Sequence, residues 1–156
     1  MAPLAALPFA SPGATEIRRG AMRWLLELDR VALAEVILPG GRRADLMAIG
    51  RSGEIEVVEI KSGIADFRAD RKWADYLAFS DRFYFAVAPD FPLTALPESE
   101  GVLIADRYAA SLHRPAVYRP LPGTRRRALL LRLARLGALR LHALADPEAV
   151  GARLEE

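Results

Sequence analysis

Apolar residues recur along the first third of the chain with two different periods. Ile17, Ala21, Trp24, Leu25 and Leu28 fall at helical spacing and predict a helix of about three turns, which Thr15 or Ser11 can cap. Glu16, Gly20, Arg23 and Glu27 form the adjacent stripe, and Glu16 suits a helix start because the dipole favours a carboxylate there. The period then shortens. Residues 31–38 make a β-branched, apolar run stopped by Pro39-Gly40-Gly41, and two further strands, 43–49 and 55–61, are joined by Gly50-Arg51-Ser52-Gly53. Three contiguous antiparallel strands are therefore predicted. Glu35 in the first reads as an edge residue reaching solvent, with a further site carboxylate as the alternative.

Beyond Ser62-Gly63 the spacing predicts a helix from Asp66 or Asp70 to Phe79, with Trp73, Leu77 and either Ser80 or Tyr76 inward. Residues 83–88 are apolar almost without a break, which suits a strand buried on both faces and parallel to a neighbour. Further strands are predicted at 101–105 and 116–119. Residues 125–144 read as a leucine- and arginine-rich helix whose leucines project all round, and Asp146-Pro147 opens a short last helix. The order points to an α/β (α+β mixed sheet) fold, a central mixed β-sheet flanked by helices.

Composition narrows the function classes. With 52% apolar residues in a chain of 156, one cored domain is expected over 15–156, following a tail at 1–14 and including a C-terminal helical region. The opening MAPLAALPFASPGA lacks a positive n-region and is interrupted by Pro3, Pro8 and Pro12, so it does not read as a signal peptide. No uncharged apolar run reaches about 18 residues. The chain has no cysteine, which removes disulfides, thiolate zinc sites and cysteine nucleophiles. A soluble, cytoplasmic protein without membrane contact is expected. His113 and His142 are the only imidazoles, and no Gly-x-Ser-x-Gly elbow surrounds Ser111 to make it a partner for His113. The net charge is only +2, so any nucleic-acid footprint must come from clustering.

The hairpin carries the chemistry. Its pattern sets Met47 against Val57 and Ile49 against Ile55, and the same register sets Asp45 opposite Glu59, with strand alternation placing both on the face of those apolar residues and Lys61 following there. Directly opposed residues have Cβ atoms roughly 4.5–5.5 Å apart, where like charges repel. Two carboxylates converging beside an apolar patch suit a hard divalent ion such as Mg²⁺, which usually takes one or two carboxylates and keeps several waters. Of the 22 basic residues only Lys61 and Lys72 are lysines, and both flank this place, which points to a compact ammonium rather than a guanidinium fork.

A helix, three antiparallel strands, a helix and a parallel strand, with an acid on the second strand and Glu59-Ile60-Lys61 on the third, resembles the PD-(D/E)XK nuclease superfamily over about residues 15–88. The resemblance implies a restriction-endonuclease-like αβββαβ core, Mg²⁺ (with Mn²⁺ as substitute) on Asp45 and Glu59, Lys61 as a cation for the transition state, and divalent-metal-dependent hydrolysis of DNA. The usual Pro-Asp is Ala44-Asp45 here. The layout is also similar to archaeal Holliday-junction resolvases, which implies a site role for Glu16; where some relatives carry Gln-x-x-x-Tyr, this chain carries Lys72-x-x-x-Tyr76. The stretch DRKWADYLAFSDRFYFAV, with EIKSG upstream, resembles the MmcB-like bacterial DNA-repair family. A non-hydrolytic DNA-binding or partner-recruiting module on the same fold is the alternative.

Candidate phosphate contacts are Arg42 and Arg43 at the hairpin base, Arg68, Arg71 and Lys72 on the next helix, and Arg125 to Arg127. Trp73, Tyr76, Phe79, Phe83 and Phe85 read as core rather than as base-stacking platforms. DNA is the expected partner, and a homodimer or assembly with other repair proteins stays open.

Overall fold

The computed structural model describes residues 11–150. Helix α1 (Ala14–Glu27) leads into β1 (Val31–Ile37), β2 (Arg43–Ile49) and β3 (Ile55–Lys61). Helix α2 (Ile64–Ala69) and a 3-10 segment (Trp73–Phe79) precede β4 (Arg82–Val87), β5 (Gly101–Ala105) and β6 (Ala110–Arg114), and α3 (Gly123–Ala145) and α4 (Pro147–Val150) follow. The six strands lie side by side in chain order. β1, β2 and β3 are antiparallel, β4 and β5 run parallel to β3, and β6 turns back. The result is the mixed sheet flanked by helices that the pattern predicts. Residues 1–10 of the expected tail lie outside the described residues, as do 151–156. Among the described residues no helix is long and apolar enough to cross a membrane.

The sheet separates two apolar clusters. On one face Ile17, Ala21 and Leu25 of α1 are fully buried with Leu46, Ala48, Val58 and Ala86. On the other, Leu129 and Leu133 of α3 join Tyr76, Met47, Val57, Phe83 and Phe85. With both faces covered, all seven residues of β3 are buried, including Glu56, Glu59 and Lys61. A buried charge is costly unless it is paired, so these three must find partners. Glu56 takes Arg30 at 2.8 Å and Arg82 at 3.8 Å at one end of the strand. Glu59 and Lys61 occupy the other end.

Three expectations need correction. Neither Thr15 nor Ser11 caps α1: Gly13 is its N-cap with no side-chain bond, and Ser11 Oγ donates to Asp90 at 2.8 Å. The helix predicted up to Phe79 is two pieces, because the Asp70 side chain accepts the Lys72 N–H at 3.0 Å and the backbone at Asp70 is extended. The last strand is β6 at Ala110–Arg114 rather than 116–119. Asp106 accepts the N–H groups of Tyr108 and Ala109 at 2.7 and 3.0 Å and so closes a tight turn straight into β6, while Pro115 and Pro120 remove donors on either side of the predicted strand.

Candidate active site

The observed β2–β3 register pairs Leu46 with Val58, Met47 with Val57, Ala48 with Glu56 and Ile49 with Ile55, as the hydrophobic pattern requires. One step on, at Asp45 and Glu59, side chains replace the backbone ladder. The Asp45 N–H donates to Glu59 Oε1 at 3.0 Å, and the Ile60 N–H donates to Asp45 Oδ2 at 2.8 Å. Each carboxylate thus spends one oxygen on the neighbouring strand. Asp45 Oδ1 and Glu59 Oε2 receive no protein donor among the described residues, and neither is sealed from solvent.

Simple alternation does not set the face of Asp45. Ala44 packs with Met47, whereas Leu46 and Ala48 pack on the opposite side, so the strand leaves strict alternation at Asp45. Its neighbour β1 does the same: the pairing passes from Ala34–Leu46 to Val36–Ala44, and Glu35 between them has φ 52. This distortion opens a hollow of about 330 Å³ beside the start of α1. Asp45, Glu59, Lys61 and Asp66 line it, with Thr15 and Arg18 from α1 and Glu35 from β1. Glu35 is therefore both exposed at the edge strand and part of the rim.

Burial, and then the charge of Asp45, pushes the Glu59 carboxyl up to about 8. Burial also raises Asp45, against the pull of the Ile60 N–H and of Lys61. The Lys61 ammonium, 5% exposed, donates to Asp70 Oδ2 at 2.7 Å. Partial burial works to raise Asp70, but the Lys61 ammonium and the Lys72 N–H together hold it below its ordinary value. Tyr76, pushed up to about 12 by burial and by the charges of Glu59 and Asp45, stays neutral and donates to the Arg43 carbonyl at 2.7 Å. Stacked with Phe83 at 6.2 Å, it anchors β2 two residues from Asp45.

A family model described as DNA repair protein MmcB-like matches residues 8–148, from the segment before α1 into α4. The chain belongs to the MmcB-like DNA repair family. Among solved structures, this MmcB-like chain is similar to the SPO1766 protein of unknown function from Silicibacter pomeroyi, with a TM-score of 0.84 and 42% identity, over 86% of this chain and 92% of that one. No curated protein matches it.

The MmcB-like chain brings Asp45, Glu59 and Lys61 together and leaves other predicted residues apart. Glu16 is exposed and lines the groove along α1 rather than the carboxylate hollow, although the two share Thr15 and Arg18. Lys72 and Tyr76 part company because the 3-10 winding buries Tyr76 and sends Lys72 to a groove of about 680 Å³ with Arg42 and Arg43. There Arg42 is paired with Asp75 at 2.8 Å, and Arg43 is exposed, as are Arg68 and Arg71 on and just after α2. Arg126 is half-buried, with both terminal nitrogens on Asp81 at 2.5 and 2.7 Å, and Arg125 donates to the Ala78 carbonyl at 3.0 Å. Ser111 and His113 are both exposed on β6, far along the sheet order from the hollow. Sequence reasoning missed Asp70, Arg18 and Thr15. Thr15 and Arg18 share one helix face at i, i+3, which is a readable signal, whereas nothing local marks Asp70 as the partner of Lys61.

Proposed function

We propose that this protein is a divalent-metal-dependent phosphodiester hydrolase acting on DNA in repair, with a site like that of PD-(D/E)XK nucleases. The observation that carries this reading is the pair of carboxylate oxygens, Asp45 Oδ1 and Glu59 Oε2, left without protein donors at one solvent-reachable hollow. Two carboxylates suit Mg²⁺, which usually takes one or two and keeps several waters. Asp45 and Glu59 would hold Mg²⁺ or Mn²⁺. When bound, the ion supplies Lewis-acid polarisation of the phosphoryl oxygens and a more acidic water.

The chain's own groups do the rest. Glu59 must give up the proton that burial and Asp45 leave on it before it can act as a ligand. Lys61, oriented by Asp70, and Arg18 bring positive charge to the rim, where negative charge grows on the phosphoryl oxygens. Tyr76 acts through the Arg43 carbonyl as a positioning residue. Arg43 and Lys72 are exposed in a groove beside β2 and suited to phosphates flanking the site.

The test is cleavage by wild type, Asp45→Asn and Lys61→Ala with Mg²⁺ or Mn²⁺ over branched, single-stranded and lesion-bearing DNAs. Wild type should cut, and both variants should lose metal-dependent cleavage while remaining folded. Undiminished cutting by Asp45→Asn sinks the proposal. One observation favours a second reading, a non-hydrolytic DNA-binding module: the Lys61 ammonium already has its own carboxylate in Asp70. Salt-sensitive DNA binding without divalent-ion binding supports that reading instead.

A further inference from the structure

The hollow does not end at Arg18. A groove of about 500 Å³ runs along the exposed side of α1, lined by Arg18, Arg19, Arg23 and Arg107 with Thr15 and Glu16, and it shares Thr15 and Arg18 with the carboxylate hollow. We propose that this groove is the track along which a DNA strand reaches the hollow, its phosphates held by Arg18, Arg19, Arg23 and Arg107. The proposal rests on the reading that the hollow handles a phosphodiester.

Charge is the first support. Four guanidinium groups meet a single carboxylate, Glu16, and among the described residues none of the four forms a salt bridge. Crowding like charges is unfavourable unless an anion relieves it, and a phosphate chain supplies anions in series. Arg19 and Arg23 lie about 6 Å apart along the helix axis, comparable to the step between successive phosphates on one strand. The groove beyond Arg42, Arg43 and Lys72 shares no lining residue with the hollow and carries Asp75. The basic residues of α2 and the bend after it alternate with Asp66 and Asp70.

Construction is the second support. Arg107 belongs to the β5–β6 turn, distant in sequence from α1, and a specific close approach brings it over. At Gly20 an added Cβ would sit 2.0 Å from the Asp106 carbonyl oxygen and 2.5 Å from that of Ala109, so only glycine lets the helix lie on the turn. The Asp106 side chain closes that turn through Tyr108 and Ala109. Arg23 Nη1 donates to the Tyr108 carbonyl at 3.0 Å, and the Arg107 guanidinium lies 5.4 Å from the Tyr108 ring centre. Two arginines from separate elements are thus oriented around one tyrosine at the groove.

The full chain, in Asp45→Asn background with EDTA so that neither metal nor cleavage enters, is titrated into short fluorescein-labelled single strands and duplexes, and anisotropy is followed between about 50 and 200 mM salt. The Arg19→Ala/Arg23→Ala double variant should bind at least about tenfold more weakly and lower the slope of log K against log salt by about 1.4 for single strands or about 1.8 for duplex, as two lost phosphate contacts require. Arg19→Lys/Arg23→Lys should keep the slope, which a merely structural role for these residues would not predict. Arg68→Ala/Arg71→Ala should change binding by less than half as much. Circular dichroism establishes that each variant is folded. An unchanged affinity and slope for Arg19→Ala/Arg23→Ala, a larger loss for Arg68→Ala/Arg71→Ala, or no salt-dependent binding by the parent protein overturns the track. Because binding is read without metal, absence of cleavage in wild type leaves this result standing, and failure here leaves the hydrolytic reading to its own test.

Discussion

Glu59→Gln should make the metal-free protein more stable at alkaline pH while weakening its hold on divalent ions. Glu59 is 4% exposed, and its pKa stands at about 8 against an ordinary 4.5, first through burial and then through the like charge of Asp45. A folded-state value raised above the unfolded one means that the native protein keeps a proton the unfolded chain has released. The associated stability is present in full below 4.5 and is lost as the pH rises through about 8. At roughly 1.4 kcal/mol per pH unit, that interval sets a ceiling of about 5 kcal/mol.

Glutamine keeps an oxygen for the Asp45 N–H and never ionises. Urea denaturation of wild type and Glu59→Gln at about pH 5 and about pH 9 should therefore show the variant gaining a few kcal/mol on wild type across the range. A divalent ion reverses the order, because it requires the ionised form. Its binding to wild type should release protons at neutral pH and fewer as the pH rises through about 8, read by calorimetry in buffers of different ionisation enthalpy. Parallel stability profiles for the two proteins, or proton release that does not change with pH, would refute the reasoning.

Asp81 is 1% exposed and accepts from Ile55 N–H, Leu121 N–H and two nitrogens of Arg126, so Asp81→Ala leaves a guanidinium and two backbone donors without their acceptor. It should cost about 3–5 kcal/mol by urea denaturation, and a loss below about 1 kcal/mol would contradict the role. The outer edge of β1 is guarded by α3: Arg132 donates to the Ile37 carbonyl at 2.9 Å, and Arg140 donates to those of Ala34 and Glu35 at 2.5 and 2.9 Å. Arg132→Ala/Arg140→Ala should bare that edge and promote self-association, measured by light scattering; a variant as monodisperse as wild type would dismiss the guard.

The legible parts of the chain were those governed by neighbours in sequence. Period-two alternation and the glycine-bounded turn were enough to set Met47 on Val57 and hence Asp45 near Glu59, because a one-residue slip would turn an apolar face to water. The nearly unbroken apolar run over residues 83–88 marked β4 as a strand covered on both faces, and the helical period exposed the inner face of α1. Lys72 and Tyr76 were misread as a helical pair because the stretch after Asp70 winds as a 3-10 segment that buries Tyr76 and leaves Lys72 outside at its N-cap.

Sequence by itself therefore determined the three contiguous antiparallel strands, the hairpin register and the meeting of two carboxylates. Tertiary structure alone decided that Lys61 turns to Asp70, that Glu16 faces away, that Arg18 stands at the rim, and that Arg107 joins the arginines of α1. The physical reason is range. Backbone periodicity and turn geometry act between residues a few positions apart, whereas the partner of a buried charge is chosen by how layers pack, and close approaches such as Gly20 on the Asp106 turn exist only once those layers have met.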